Sequence, residues 1–388
     1  MENVRFVRKR DKGVLFKEVK MKKLLGIILL STMVILSGCN GNTQNDDEIS
    51  IVAASFHEYD WAREILGEKA EDVNLTLLID NGVDLHSYEP SVEDIALISS
   101  ADIFIHNGGA SDNWVDDVFE QESSSEVKEL NIMEMLGDAV KDEVLVEGME
   151  HGNHGHDHDD DAECCEEHDH DHDAECEEHD HDHDAECEEH DHDHDAECED
   201  HDHDEHEGGH SDEHIWLSLK NAVIACEILT EEISNLDPDN KSVYEKNAEA
   251  YINSLKELDG EYESMVSEAS RDTVIFADRF PFLYMMNDYD IEYYAAFAGC
   301  SAETEASFET VAFLSEKADE LDVNYVLILE NGLEEMAQTV INNADNKKSE
   351  ILTINSIQSV SSGEIEDGVT YYSIMEDNLN VLKKALAE

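Results

Sequence analysis

Apolar residues along this chain alternate between two rhythms. Short runs rich in β-branched residues, such as ISIVAAS at 49–55, give way to stretches with apolar positions three and four apart. The first kind reads as a buried strand and the second as a helix with one apolar face. On this pattern 49–55, 73–79 and 101–106 are strands, while 61–67 and 92–99 are helices, the second opened by Ser91. The rhythm resumes at Ile215 with a helix over 216–236, stopped near Asp237-Pro238. From 239 to about 268 the spacing stays helical through Val243, Tyr244, Ala250, Tyr251, Leu255 and Leu258. A helix of that length spans about 45 Å, enough to cross between two domains. Gly260 leaves a hairpin of two helices open as the alternative. Strands at 273–277, 293–298, 326–330 and 351–354 then alternate with helices at 282–289, 308–321, 333–343 and 371–387.

Strands that alternate with helices predict an α/β fold with parallel, doubly wound sheets. The expected architecture is two α/β lobes, residues 49–236 and 271–388, joined by one long connecting helix over 237–270. Ligands of such folds sit at the carboxyl ends of the strands, here in a cleft between the lobes.

The first 48 residues follow a different pattern. Met21-Lys22-Lys23 opens a basic stretch, an apolar run follows at 24–36, and Leu36-Ser37-Gly38-Cys39 closes it. That order is an export signal, too short for a comfortable membrane-spanning helix of about 20 residues. LSGC resembles the bacterial lipobox, so Cys39 is the expected lipidation site and 40–48 a flexible tether. Residues 1–20 fit poorly in front of a signal. Lys17-Glu18-Val19 is compatible with the codons of a ribosome-binding site, so translation is expected to start at Met21, which the nucleotide sequence tests.

The region from about 150 to 210 breaks the α/β rhythm altogether. Eighteen of the 21 histidines fall between His151 and His214. EEHDHDHDAEC is written in full at 166–176, 177–187 and 188–198, and EDHDHDEHE follows at 199–207. The candidate ligands of this tract are His168, His170, His172, His179, His181, His183, His190, His192, His194, His201 and His203. Imidazole, carboxylate and thiolate all bind zinc, but a polar low-complexity run holds ions loosely and builds no rigid tetrahedral site. With 24 Lys and Arg against 97 Asp and Glu, the formal net charge is −73. Such a surface repels nucleic acid and anionic lipid headgroups and attracts cations.

Outside the repeats, His86 stands in DLHSYEPS after the second strand, and His214 in DEHIWLSLKNA where regular sequence resumes. Asp84 and Glu89 flank the first, Asp212 and Glu213 the second, and nearby anions orient a ligating ring and balance the ion. These motifs, with LDPDNKSVYEKNAEAY at 236–251 and the acidic His-rich loop, resemble the zinc- and manganese-specific solute-binding proteins of bacterial ABC transporters. The likeness covers 49–388. It implies two α/β lobes with a metal cleft between them, and a histidine ligand from each of the first two motifs, here His86 and His214. At the third ligand the chain departs from the resemblance. Zinc members carry a strand-end histidine in a pattern like VFHDAF, where this chain has Ile275-Phe276-Ala277-Asp278-Arg279-Phe280. Ala277 takes the histidine's place, and Asp278, one residue on, is the expected substitute. The other reading pairs Asp278 with Arg279 or Arg271. A carboxylate in the set admits manganese beside zinc.

His57, in ASFHEYDW after the first strand, is a further candidate, as a ligand or a gate. Asn355 falls where manganese members place an aspartate, and Glu330 resembles a supporting strand-end acid. His106 reads as structural, and Cys226 and Cys300, isolated in sequence, as unpaired thiols or packing residues. GGASDNW at 108–114 lacks the ending a phosphate loop needs.

The expected function is capture of Zn2+, with Mn2+ as the other metal the donors allow. The expected protein is a monomeric receptor, lipid-anchored at Cys39 on the outer face of the cytoplasmic membrane. Its expected partners are an ABC permease and its ATPase. The alternative is a zinc buffer acting through the tract. The one match to HExxH, HEGGH at 206–210, falls in the polar tract with two glycines where the motif needs a helix, and no second catalytic pair is evident, so no enzyme is expected.

Overall fold

The computed structural model describes residues 49–121, 127–150, 211–301 and 306–387. The expected extension at 1–20, the signal at 21–39 with Cys39, the tether at 40–48 and the tract histidines His151 to His210 lie outside the described residues.

Two four-stranded sheets carry the fold, and every strand pair in them is parallel. In the first, β1 (Ser50–Ala53), β2 (Asn74–Leu77), β3 (Ile103–His106) and β4 (Lys128–Asn131) lie in the order β2-β1-β3-β4. In the second, β5 (Thr273–Phe280), β6 (Glu292–Ala298), β7 (Tyr325–Leu329) and β8 (Glu350–Ile354) lie in the order β6-β5-β7-β8. Both faces of each sheet are covered, which is why the inner strands read as continuous apolar runs.

Successive residues of a strand face opposite ways, and this sorts the side chains into three cores. Val52 and Phe104 pack outward with Ile98, Val115 and Val118 of the helices Val92–Ser99 and Trp114–Gln121. Ile275 and Ile328 do the same in the second lobe against Leu314, Ala337 and Val340. The third core is shared. It takes Ile51, Ile103 and Leu130 from one sheet and Phe276, Leu327 and Ile354 from the other. Between them lie the buried faces of the helices Phe56–Leu66, Leu219–Leu236, Lys241–Glu268 and Tyr371–Ala385. Sliding one lobe from the other would return this interior to water, at about 25 cal/mol per Å2 exposed.

The connecting helix runs unbroken over Lys241–Glu268, passing Gly260 in open space, so the hairpin alternative falls away. Its buried stripe is Tyr244, Ala248, Tyr251, Ile252, Leu255, Leu258, Tyr262 and Met265, the spacing of one helical face. The expected helix over 216–236 divides in two. A tight turn, Ile215–Leu217, comes first, and Ser218 then caps Leu219–Leu236 by accepting Asn221 N–H at 3.1 Å. His214 therefore precedes the turn and is not carried on the helix. The strand β4 and the helices Trp114–Gln121, Ile132–Leu136 and Ser362–Glu366 were not expected. In β4 only Leu130 is buried, so KELN shows no apolar run to read.

Trp216 ties the lobes together beside the cleft. It is fully buried, donates its indole N–H to Ser356 O at 2.9 Å, and accepts Tyr371 O–H at its own carbonyl at 2.6 Å. Replacing it with alanine should destabilise the fold by about 3–5 kcal/mol, read as a shift of the urea midpoint, because nothing nearby can fill the space.

At the end of β3, His106 joins Asp112 at 3.3 Å and Glu129 of β4 at 3.0 Å. Burial alone would lower its pKa, but the two carboxylates overcome that and raise it from 6.5 to about 9. The folded protein thus holds this proton more tightly than the unfolded chain does. Its stabilisation is complete below about pH 6.5 and is lost as the pH climbs through about 9. Thermal melts across that range should show the decline, and His106→Gln should flatten it.

Candidate metal centre

The cleft site is built on short turns at the carboxyl ends of the strands. His86 rides on the turn Leu85–Ser87, where Asp84 Oδ1 accepts its backbone N–H at 3.1 Å. The other Asp84 oxygen accepts from Arg279 of the second lobe at 2.7 Å, so one carboxylate fixes the His86 turn and bridges the lobes. His214 is fully buried, with its backbone N–H held by Asp212 Oδ1 at 2.8 Å.

Three buried or half-buried groups, Asp212, Ser111 and Glu213, set the tautomers of these rings. Asp212 Oδ1 lies 3.0 Å from His214 Nδ1. His86 Nδ1 lies 2.5 Å from Ser111 Oγ and 3.1 Å from Glu213 Oε1. Ser111 in turn donates its backbone N–H and its hydroxyl to Glu213 at 2.9 and 2.8 Å. An ionised carboxylate only accepts, so each ring carries its proton on Nδ1 and turns the lone pair of Nε2 outward. The two Nε2 atoms face each other 3.1 Å apart. Two lone pairs at that distance repel unless a proton or a metal ion lies between them.

The electrostatics agree. Burial would raise the Glu213 pKa, yet the His86 hydrogen bond and the two nearby imidazoles hold it down at about 2, so it is an anion. Burial would lower the His214 pKa, but Asp212 and Glu213 raise it above its ordinary value. The cradle is negative and draws a cation into the gap. Its anions are not used as the neighbouring sequence suggests. Glu213 orients His86 and not its neighbour His214, while Glu89 is exposed.

Cys300 enters the same space. Its Sγ and the ligand nitrogens of His86 and His214 lie within 4.8 Å of one another, and Sγ is 3.1 Å from Glu213 Oε1. The thiol stands at the end of β6, on a loop that Gly299 brings against His214. A Cβ on Gly299 would meet His214 Cε1 at 2.7 Å. The fourth side is closed by Gln358, whose amide nitrogen donates to His86 Nε2 at 2.7 Å. Gln358 is delivered by an unusual turn. Ile357 has φ +66°, a region β-branched residues avoid, and Asn355 Oδ1 holds it there by accepting its N–H at 2.7 Å. Glu330 fixes the same turn through Ser356 N–H at 2.8 Å.

Two expected ligands are not brought to this cluster. Asp278 spends its carboxylate on backbone: Oδ1 accepts Arg279 N–H at 2.8 Å and Oδ2 accepts Leu329 N–H at 3.0 Å. It pairs with neither Arg279 nor Arg271, since the Arg279 guanidinium goes to Asp84 and that of Arg271 to Leu321 O. Asp278 lines a separate cavity of about 280 Å3 with Ser87, Ser301 and Met336. His57 is fully buried behind Trp216, stacked on it with ring centroids 4.5 Å apart, and Ser55 Oγ lies 3.0 Å from its Nδ1. Burial drops its pKa to about 3, so it remains a neutral packing group. Cys300 is an unpaired thiol, as the sequence suggests, but its place beside the two histidines carried no sequence signal. Ser111 and Gln358 carried no sequence signal, and GGASDNW, set aside as a phosphate loop, supplies the serine. Gly109 is required there, because at φ +86° a Cβ would meet Glu213 Oε2 at 2.7 Å.

Known proteins resemble this chain in sequence and in fold. Zinc-binding lipoprotein AdcA of Streptococcus pneumoniae is 27% identical over 366 residues, covering 94% of this chain. This chain spans only 61% of AdcA's length. The high-affinity zinc uptake system protein ZnuA of Bacillus subtilis is 27% identical over 381 residues, covering 94% of this chain and 98% of that protein. Among solved structures, the metal-dependent lipoprotein YcdH of Bacillus subtilis superposes with a TM-score of 0.63 at 23% identity, over 88% of this chain and all of that one. The Zn(II)-bound ZnuA-like domain of S. pneumoniae AdcA gives 0.61 at 24% identity, again over 88% of this chain. The family model for ZnuA, the periplasmic component A of zinc-uptake complexes, matches residues 51–385, and the chain belongs to that family.

Proposed function

We propose that this protein captures zinc outside the cytoplasmic membrane and delivers it to an ABC permease driven by its ATPase. The observation that carries this reading is the convergence of His86 Nε2 and His214 Nε2, 3.1 Å apart, in a cleft lined by buried anions. Neutral imidazoles with oriented Nδ1 protons are good zinc ligands, and the buried carboxylates offset the ion's charge. In tetrahedral zinc with Zn–N of 2.0–2.1 Å, two nitrogens stand about 3.4 Å apart, so the pair needs little adjustment. The relatives named above for zinc binding and zinc uptake support the same cargo. Cys39 would hold the receptor at the membrane surface, and the acidic tract would gather ions loosely around it. The ligand set in this reading departs from the sequence expectation in leaving out Asp278 and His57.

A competitive zinc titration of the full-length chain tests the site. His86→Ala and His214→Ala should each abolish the single tight equivalent, while replacing any one tract histidine, such as His181, should change nothing measurable. A rigid site loses a ligand it cannot replace, whereas a redundant tract substitutes a neighbour. Asp212→Asn, which leaves both ligands in place but weakens the hold on His214, should cost roughly 10–100-fold in affinity. A tight equivalent that survives both histidine substitutions would transfer the function to the tract.

A further inference from the structure

We propose that Cys300 is the third protein ligand of the cleft, completing a site of two histidines and one thiolate whose sulfur selects zinc over manganese. This rests on the reading of the cleft as the zinc site and deepens it. Three observations lead there. The Sγ lies with one ring nitrogen of each histidine inside a 4.8 Å triangle. With Zn–S near 2.3 Å and Zn–N of 2.0–2.1 Å, tetrahedral zinc needs nitrogen and sulfur about 3.6 Å apart, within that triangle. Next, Gly299 is packed so closely on His214 that no side chain fits, so the backbone sets the thiol against the ring. Finally, the two residues at the expected third-ligand position are not free to serve. Ala277, buried in the second lobe's outer core, offers no donor, and both Asp278 oxygens are bonded to backbone N–H groups.

The chemistry is a ligand substitution. Before zinc arrives, the thiol donates to Glu213 Oε1 at 3.1 Å. On binding, the S–H bond breaks, a Zn–S bond forms, and the proton leaves to solvent. The thiolate is soft, and manganese favours oxygen donors, so the sulfur shifts the preference of the cleft toward zinc. That removes the opening toward manganese which a carboxylate from Asp278 would leave.

The test uses the full-length chain with the tract cysteines Cys164, Cys165, Cys176, Cys187 and Cys198 replaced by serine, loaded with one zinc per chain. Zinc X-ray absorption should show a sulfur shell at about 2.3 Å beside the nitrogen and oxygen shell at 2.0–2.2 Å. In Cys300→Ser the sulfur shell should vanish. Zinc affinity should fall roughly tenfold or more, while manganese affinity holds or rises. Asp278→Ala should keep the sulfur shell, with zinc affinity within about twofold of the parent chain. The proposal is overturned if the parent chain shows only nitrogen and oxygen around a zinc that His86→Ala releases. It is equally overturned if Asp278→Ala loses affinity and Cys300→Ser does not. Either result leaves the cleft as the zinc site. A tight zinc that His86→Ala fails to release would instead remove the receptor reading itself. The absorption spectrum of the parent chain needs no substitution in the cleft, so the result stands even if Cys300→Ser folds poorly.

Discussion

Two adjacent buried carboxylates, Asp212 and Glu213, organise everything in the cleft. Each takes the Nδ1 side of a different histidine, one from its own loop and one from the turn at Leu85–Ser87. That division needs backbone on two strand ends to meet, and the meeting is arranged by groups with no donor role of their own. Gly109 lets the loop after β3 lie on Glu213, and Ser111 fixes the carboxylate with two hydrogen bonds. Burying two acids costs free energy that opposite partners must offset. Here the partners are imidazoles, a hydroxyl and backbone N–H groups.

The surrounding scaffold keeps those partners in register. Asp84 belongs to the first lobe and Arg279 to the second, and their ion pair sits directly beneath the His86 turn. Trp216 separates His57 from His214 and bonds across to Ser356, on the turn that presents Gln358. His86, His214, Cys300 and Gln358 therefore come together from four loops in two lobes, and the links among them cross the cleft repeatedly.

The fold was largely legible in the apolar pattern, because a parallel sheet buried on both faces writes itself as apolar runs. The strand β4 escaped because an edge strand with one buried residue has no such run. His86 and His214 were legible from their motifs and from the acids beside them. Cys300 was not, since its place beside the histidines depends on the loop after β6 folding back over His214 across 86 positions of sequence (300 − 214). Asp278 misled for the converse reason. A carboxylate at a strand end next to an expected ligand position looks available, but two backbone N–H groups at the bulge in β5 and the end of β7 claim it first. Composition reveals donors, and only tertiary structure reveals which donors are already engaged.

The single apolar interior that joins the lobes bears on how quickly cargo is exchanged. A receptor whose halves swing apart releases its ligand at the pace of the hinge. Here wide opening would expose Phe276, Leu327 and Ile354 together with Ile51 and Ile103, a cost that any hinged release would have to meet. His214 is enclosed, whereas the His86 side chain keeps 12% of its surface open on a three-residue turn. In the proposed receptor, departure would begin at His86, the more open of the two rings.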